Sequence, residues 1–294
     1  NQDSPAGNQD SPAGERWRIN LADGRVLEAD GVVITGMGPP VRLARQPAEH
    51  PRVLDGRTYW LHDRDLGAGA AKSFCVIGGG ETAASVVMSL VTGCHPHSTI
   101  DVLTSRGVIY SRGESYDENR LYSDPGEWPL LTEAHRREFL ERTDRGVVSL
   151  QAEEILNQAA GLRTVPGTAV AIEASDHQAV VTVEYGQERE RVAYDTVIVA
   201  TGFDEHWFER LLGERARQHL DNARAGDELE RCIDVSLSVD GMTPALHLPV
   251  MAGLAQGPGF PNLTCLGLLS DRVLRRYVPV SPPASLVTEG SQRA

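Results

Sequence analysis

Short apolar runs separated by polar turns divide this chain, and their spacing predicts strands first. Trp17-Arg18-Ile19-Asn20-Leu21 alternates in period two. Ala22-Asp23-Gly24 supplies a turn, and Arg25-Val26-Leu27-Glu28-Ala29 resumes the pattern, so a β-hairpin around Asp-Gly is expected. Val32-Val33-Ile34 follows as an apolar strand with a glycine exit, and a proline-bearing linker over about 38–51 comes next. Phe74-Cys75-Val76-Ile77 is a continuous apolar run of the kind buried on both faces of a sheet. Helices are expected over Glu81 to Val91, over Thr132 to Arg142 with Thr132 as N-cap, and along Glu205 to Arg217. Strands are expected at Thr99 to Thr104, Ala169 to Ala174, Val180 to Tyr185 and Val197-Ile198-Val199. The polar stretch from Gly107 to Pro129 reads as loop, and an ordered segment from Leu246 to about Tyr277 precedes a loose tail.

The run from Phe74 to Ser85 carries the clearest chemistry. It reads as a strand, a tight glycine turn and the first turn of a helix, with Gly78, Gly80 and Ala83 at the small positions of a G-x-G-x-x-G/A dinucleotide fingerprint. The first glycine permits the turn, the second lets a pyrophosphate approach the backbone, and the third small residue lets helix and strand pack closely. Free N–H groups and the positive end of the helix dipole then face the phosphates. A glycine turn in an ordinary αβ unit is the plainer alternative. Position adds information: 77 residues precede Gly78, among them a strand with its own glycine exit, and a Thr201-Gly202 exit follows the Val197 strand. That order is the layout of two-dinucleotide flavoproteins, with an NADPH domain inserted into an FAD domain.

Composition narrows the classes. Of 294 residues, 28 are basic and 41 acidic, a net charge of −13 that argues against nucleic acid and anionic membrane as partners. No run reaches the ~18 apolar residues of a membrane helix. Cys75, Cys94, Cys232 and Cys265 are scattered without a C-x-x-C, which reads as the reduced cysteines of a cytoplasmic protein. The missing C-x-x-C also disfavours a thiol-disulfide flavoreductase. His95-Pro96-His97 beside Cys94 reads as a proline turn and not a metal site, because no third ligand is suitably spaced. The first fourteen residues are one heptad written twice, with no apolar period, and read as disordered or an artefact.

The end of the strand after the fingerprint helix discriminates between NADH and NADPH: an acid there binds ribose hydroxyls, a basic residue suits a 2′-phosphate. Leu103-Thr104-Ser105-Arg106 stands at that point, with Asp101 earlier within the strand. Arg106 favours NADPH; a solvated surface arginine is the alternative.

Four runs together resemble one family: the fingerprint, Glu118-Asn119-Arg120-Leu121-Tyr122-Ser123-Asp124-Pro125, Arg142-Thr143-Asp144-Arg145-Gly146-Val147, and the stretch from Gln256 to Leu274 that contains Leu269-Ser270-Asp271. The chain resembles the N-hydroxylating flavin monooxygenases of siderophore synthesis, and within them the mycobactin-type L-lysine N-hydroxylases, over roughly residues 16–277. The resemblance implies an α/β two-dinucleotide-domain flavoprotein using FAD, NADPH, O2 and L-lysine, with catalysis borne by the flavin and no catalytic side chain. Carried over residue by residue, it implies Gly78, Gly80, Thr82 and Ala83 at the NADPH pyrophosphate and Arg106 near the 2′-phosphate. It further implies Asn119, Asp144 and Ser270 at the substrate, with Ser270 and Asp271 where the returning chain meets the flavin. As plain sequence, Asn119 reads as a loop-capping asparagine and Ser270-Asp271 as an N-cap for a helix starting at Arg272. Asp144 departs from the asparagine of many relatives. The lysine many of them place before the inserted domain is not evident around Arg57-Thr58-Tyr59.

The expected organisation is a disordered repeat (1–14), a remnant of the FAD domain (15–50), an NADPH-binding domain (51–190), an FAD-domain return (191–279) and a flexible tail (280–294). Val32-Val33-Ile34 and Val197-Ile198-Val199 are expected in one FAD-domain sheet whose central first strand and G-x-G-x-x-G turn are missing before Arg16, as in a fragment, a mispredicted gene product or a degenerate paralogue. The expected activity is therefore L-lysine 6-monooxygenation for siderophore synthesis, complete only with that part. The alternative is a non-catalytic NADPH-binding remnant. Relatives make a homo-oligomer plausible.

Overall fold

The structure, a computed structural model, describes residues 15–66, 72–93, 95, 97–113, 116–144, 146–224, 226 and 228–278. The N-terminal repeat, Cys94, Pro96 and the expected tail lie outside the described residues.

A five-stranded parallel sheet organises the fingerprint half. Its order is Val53–Asp55, Thr196–Val199, Ser73–Ile77, Thr99–Thr104 and Leu162–Pro166. Alternation in the central strand explains its two-sided burial. Phe74 and Val76 face helices Glu81–Thr92 and Leu150–Gln158, packing with Val86, Val87, Leu90 and Ala152. Cys75 and Ile77 face an antiparallel sheet of Thr168–Ala174, Ala179–Tyr185 and Glu188–Tyr194, packing with Ile172, Val181 and Val183. Every strand residue from Phe74 to Ile77 is buried, so both faces are covered, as a parallel sheet requires.

The second half is built on shorter pieces. The expected hairpin forms as Trp17–Asn20 against Val26–Ala29, and Gly31–Val33 pairs in parallel with Ala245–His247. A second core of Phe208, Leu220, Leu237, Leu246, Met251 and Phe260 fills the space beneath.

Several expectations change. Val197-Ile198-Val199 does not share a sheet with Val32-Val33-Ile34; it lies between Val53–Asp55 and the fingerprint strand, past the boundary expected at 190. The reason is local. All four residues Thr196–Val199 are buried, which demands neighbours on both edges, and Asp195 fixes the register by accepting from the Ser73 N–H and hydroxyl at 2.8 and 2.9 Å. The long helix expected from Glu205 is split into a 3-10 turn, Trp207–Leu211, and a helix, Glu214–Arg224. The expected loop from Gly107 to Pro129 contains helix Tyr116–Ser123 and a 3-10 segment, Pro125–Leu130, so Asn119 caps no loop. Thr132 does cap helix Glu133–Thr143, its hydroxyl accepting from the His135 N–H at 3.3 Å.

The two halves meet where the motif runs meet. The Tyr122 carbonyl accepts from the Thr264 hydroxyl at 3.0 Å and the Cys265 thiol at 2.8 Å, and the buried Trp128 indole donates to the Leu254 carbonyl at 3.0 Å. Gly259 lies against this joint so closely that a Cβ would sit 2.0 Å from the Tyr122 oxygen.

Candidate dinucleotide site

The fingerprint glycines are required for different physical reasons. Gly78 adopts φ +139°, and a Cβ there would lie 2.2 Å from the Ala200 carbonyl oxygen, where the neighbouring strand exits. Gly80 has ordinary extended backbone with φ −108°; a Cβ would project toward Gly146, 3.4 Å from its Cα, without a severe clash. The fold needs glycine at 78, whereas at 80 only the space beside the turn does. Ala83 is buried between helix and strand, and the Thr82 methyl packs toward Gly56.

Gly80 caps helix Glu81–Thr92 with no side chain of its own. The Ala84 N–H is the first to bond back, to the Gly80 carbonyl at 3.0 Å, which leaves the first-turn amides of Glu81, Thr82 and Ala83 directed at the space above the turn. Partial positive charge collects there. The acid in this turn is drawn aside: Glu81 accepts from the Ser149 N–H at 2.7 Å and the Ser149 hydroxyl at 3.0 Å. Ser149 in turn caps helix Leu150–Gln158, accepting from the Ala152 N–H at 3.3 Å.

Arg106 stands one turn beyond strand Thr99–Thr104. The Thr104 hydroxyl accepts from the Arg106 N–H at 3.4 Å and the Thr104 carbonyl from the Gly107 N–H at 3.0 Å, closing a tight turn that directs Arg106 back across the sheet end. Its guanidinium lies against Gly146, where a Cβ would be 3.5 Å from the Arg106 Cζ, and 5.8 Å from the Tyr110 ring centroid. Gly146 thus touches both the fingerprint turn and the arginine. No carboxylate among the described residues pairs with Arg106. The other candidate for nucleotide choice is committed elsewhere: buried Asp101 receives both Arg163 bonds at 2.8 Å and the Tyr194 hydroxyl at 2.9 Å. That polar cluster sits beside Cys75, whose thiol burial pushes up to about 12.

The expected substrate residues are spread over three elements. Asn119 is exposed on helix Tyr116–Ser123, while Asp144 is half-buried at the C-cap of helix Glu133–Thr143. The two helices are tied together by Arg142 donating to Glu118 at 3.3 Å and by the Tyr122 hydroxyl donating to Thr143 at 3.0 Å. Burial raises the Tyr122 pKa, and the nearby Asp144 charge adds to it. Ser270 and Asp271 are exposed in the middle of helix Leu266–Leu274, whose N-cap position is Cys265, so the expected N-cap at this pair does not form. Gly146 and Tyr110 join the site without a role assigned to either by the sequence. The signals for Gly146 are its place in the run from Arg142 to Val147 and directly before the apolar pair Val147-Val148; Tyr110 has none. A separate groove of about 480 Å3 lies between these helices, lined by Glu118, Leu121, Leu131, Glu138 and Phe139, and includes no fingerprint residue.

Fold and site define a mixed α/β protein whose parallel sheet presents a glycine-rich turn and a helix N-terminus at its carboxyl end. No family model matches the chain. Comparison with individual proteins is informative. The chain is 40% identical over 266 residues to the L-lysine N6-monooxygenase MbtG of Mycobacterium sp. (strain MCS), spanning 88% of this chain and 61% of that protein. To MbtG of Mycolicibacterium paratuberculosis (strain ATCC BAA-968 / K-10) it is 39% identical over 279 residues, spanning 92% and 64%. Among solved structures, the lysine monooxygenase NbtG of Nocardia farcinica superposes with a TM-score of 0.66 at 35% identity, over 88% of this chain and 66% of that one. The ornithine N-hydroxylase KtzI of Kutzneria sp. 744 shares the fold, with a TM-score of 0.69 at 18% identity over 89% and 68%. Over 88–92% of its own length the chain is similar to curated proteins named L-lysine N6-monooxygenase. It spans 61–64% of the length of these two curated relatives.

Proposed function

We infer that this chain carries the NADPH-binding unit and the returning C-terminal segment of an FAD- and NADPH-dependent monooxygenase that hydroxylates the side-chain amine of L-lysine for siderophore synthesis. One observation carries the reading: Gly80, Gly146 and the guanidinium of Arg106, which pairs with no carboxylate among the described residues, lie side by side at the N-terminus of helix Glu81–Thr92. A pyrophosphate fits a turn whose three glycines, Gly78, Gly79 and Gly80, carry no side chains and which opens onto first-turn helix amides. A 2′-phosphate fits a guanidinium that no carboxylate among the described residues engages. Gly78, Gly80, Thr82 and Ala83 would hold the pyrophosphate and Arg106 the 2′-phosphate.

The bound cofactors supply reducing power and oxygen activation. This chain's side chains would orient and exclude. The lysine side-chain amine has an ordinary pKa near 10.4 and reacts in its neutral form. A carboxylate beside it would favour the charged form. Asp144 is therefore assigned to the α-ammonium group, with Asn119 and Ser270 as uncharged hydrogen-bonding partners and Asp271 at the flavin side of the returning segment. Choosing lysine over ornithine is a matter of one methylene of pocket depth, worth about 1–3 kcal/mol. Among the described residues no helix is long and apolar enough to cross a membrane, and a cytoplasmic location is the one we infer.

The test is to add FAD, NADPH and L-lysine to the purified chain and follow N6-hydroxylysine together with nucleotide binding. NADPH binding with lysine-dependent product supports the full reading. NADPH binding without flavin retention or product supports a non-catalytic NADPH-binding module. A chain that binds no NADPH contradicts both.

A further inference from the structure

Resting on the NADPH reading, a second observation identifies what holds Arg106 in place. Tyr110 and Ser111 form a two-residue strand that pairs in parallel with Val147 and Val148, with Tyr110 opposite Val147. The Arg112 N–H extends the pairing by donating to the Val148 carbonyl at 2.7 Å. Val148 is buried under the fingerprint helix, so this small bridge is anchored to the main core. Its effect is to fix Tyr110 and Gly146, which directly precedes Val147, at a set spacing. The Arg106 guanidinium lies near both, over the Tyr110 ring with its Cζ 5.8 Å from the centroid and beside Gly146. Gly146 takes φ +67°, a conformation that favours glycine, and a Cβ there would meet the guanidinium at ordinary contact distance, 3.5 Å from its Cζ.

We propose that Tyr110 and Gly146 form a clamp that holds Arg106 over the phosphate turn, making Tyr110 a specificity-determining positioning residue for the cofactor's 2′-phosphate. An exposed arginine on an open surface samples many rotamers, and ordering it for one hydrogen-bonded pose has an entropic cost. A guanidinium already held over a ring meets less of that cost, because fewer of its rotamers are open before the ligand arrives. The clamp touches the arginine and not the pyrophosphate, so its contribution is confined to nucleotides bearing the 2′-phosphate.

Calorimetric titration of the full chain with NADPH and with NADH tests this in three variants. Tyr110 is half exposed in a two-residue strand, so truncating it leaves the core intact. Tyr110→Ala should weaken NADPH binding about two- to fivefold, the size of a surface cation–π contact, and leave NADH binding unchanged. Tyr110→Phe keeps the ring and should restore the NADPH-to-NADH ratio. Arg106→Ala should lower that ratio about tenfold or more, since it removes charge-assisted bonds. If Arg106→Ala lowers the ratio while Tyr110→Ala leaves it unchanged, the clamp is refuted and the NADPH reading stands. If Arg106→Ala itself leaves the ratio unchanged, the NADPH reading fails and the clamp with it.

Discussion

Two glycines two residues apart separate folding from binding at the scale of single residues. Gly78→Ala forces a Cβ into the Ala200 carbonyl at a φ of +139° and should cost roughly 1–3 kcal/mol in strain and overpacking, seen as a lower denaturant midpoint. Gly80→Ala meets only ordinary contact and should leave the midpoint nearly unchanged while weakening NADPH at least tenfold, because the methyl occupies the phosphate approach. Equal loss of stability in both variants would contradict this division. Sequence alone could mark these glycines, because the fingerprint is a local pattern. It could not show Gly146, whose role depends on a contact across 66 residues, nor the sequestration of Asp101 by Arg163 and Tyr194. Two buried histidines add a pH dependence. Burial lowers the pKa of His95, which packs edge-on to Phe74, and of His247, which is held between the Ser236 carbonyl and the Tyr277 hydroxyl. The unfolded chain takes up protons near its ordinary pKa of about 6.5, before the folded imidazoles do. Stability should therefore be flat with respect to these groups above about pH 6.5 and fall as the pH drops below it. Among the described residues neither His95 ring nitrogen has a hydrogen-bond partner. His95→Leu should consequently be neutral or stabilising at pH 7 and reduce the acid sensitivity, as read by denaturant titration across pH.

Among elements, what was legible followed periodicity. The fingerprint strand, its helix, the Trp17 hairpin and the strands around Ile172 and Val181 are clear because apolar spacing matches their geometry. Strand Glu188–Tyr194 was hidden, since Glu188-Arg189-Glu190-Arg191 offers no apolar alternation and is paired along an exposed edge. Helix Tyr116–Ser123 was hidden for a related reason: its polar composition reads as loop until Leu121 and Tyr122 are seen packed inward. Partner choice among strands was not legible, because Val32 and Val197 have similar local patterns and differ only in tertiary neighbours. The joint between elements offers a direct check. Gly259→Ala would place a methyl 2.0 Å from the Tyr122 carbonyl and 2.4 Å from the Cys265 sulfur. It should destabilise by about 1–3 kcal/mol and expose the Gln256–Cys265 region to protease, with the midpoint and the cleavage site as readouts. An unchanged midpoint would mean the joint is pliable.

Across the whole molecule, two cores meet through a narrow set of polar contacts between Tyr122, Trp128, Leu254, Thr264 and Cys265. The returning helix that carries Ser270 and Asp271 is thereby fixed relative to helix Tyr116–Ser123, which carries Asn119. The net charge of −13 makes the molecule repel anions overall, so an anionic nucleotide must be drawn in by local features. On the proposed reading those features are the helix N-terminus and the Arg106 guanidinium, which pairs with no carboxylate among the described residues. Phosphorus NMR of NADPH titrated with the chain observes both at once. The pyrophosphate and 2′-phosphate resonances should shift together and saturate at one nucleotide per chain. Pyrophosphate shifts without any change at the 2′-phosphate, or no saturable shift at all, would contradict the account.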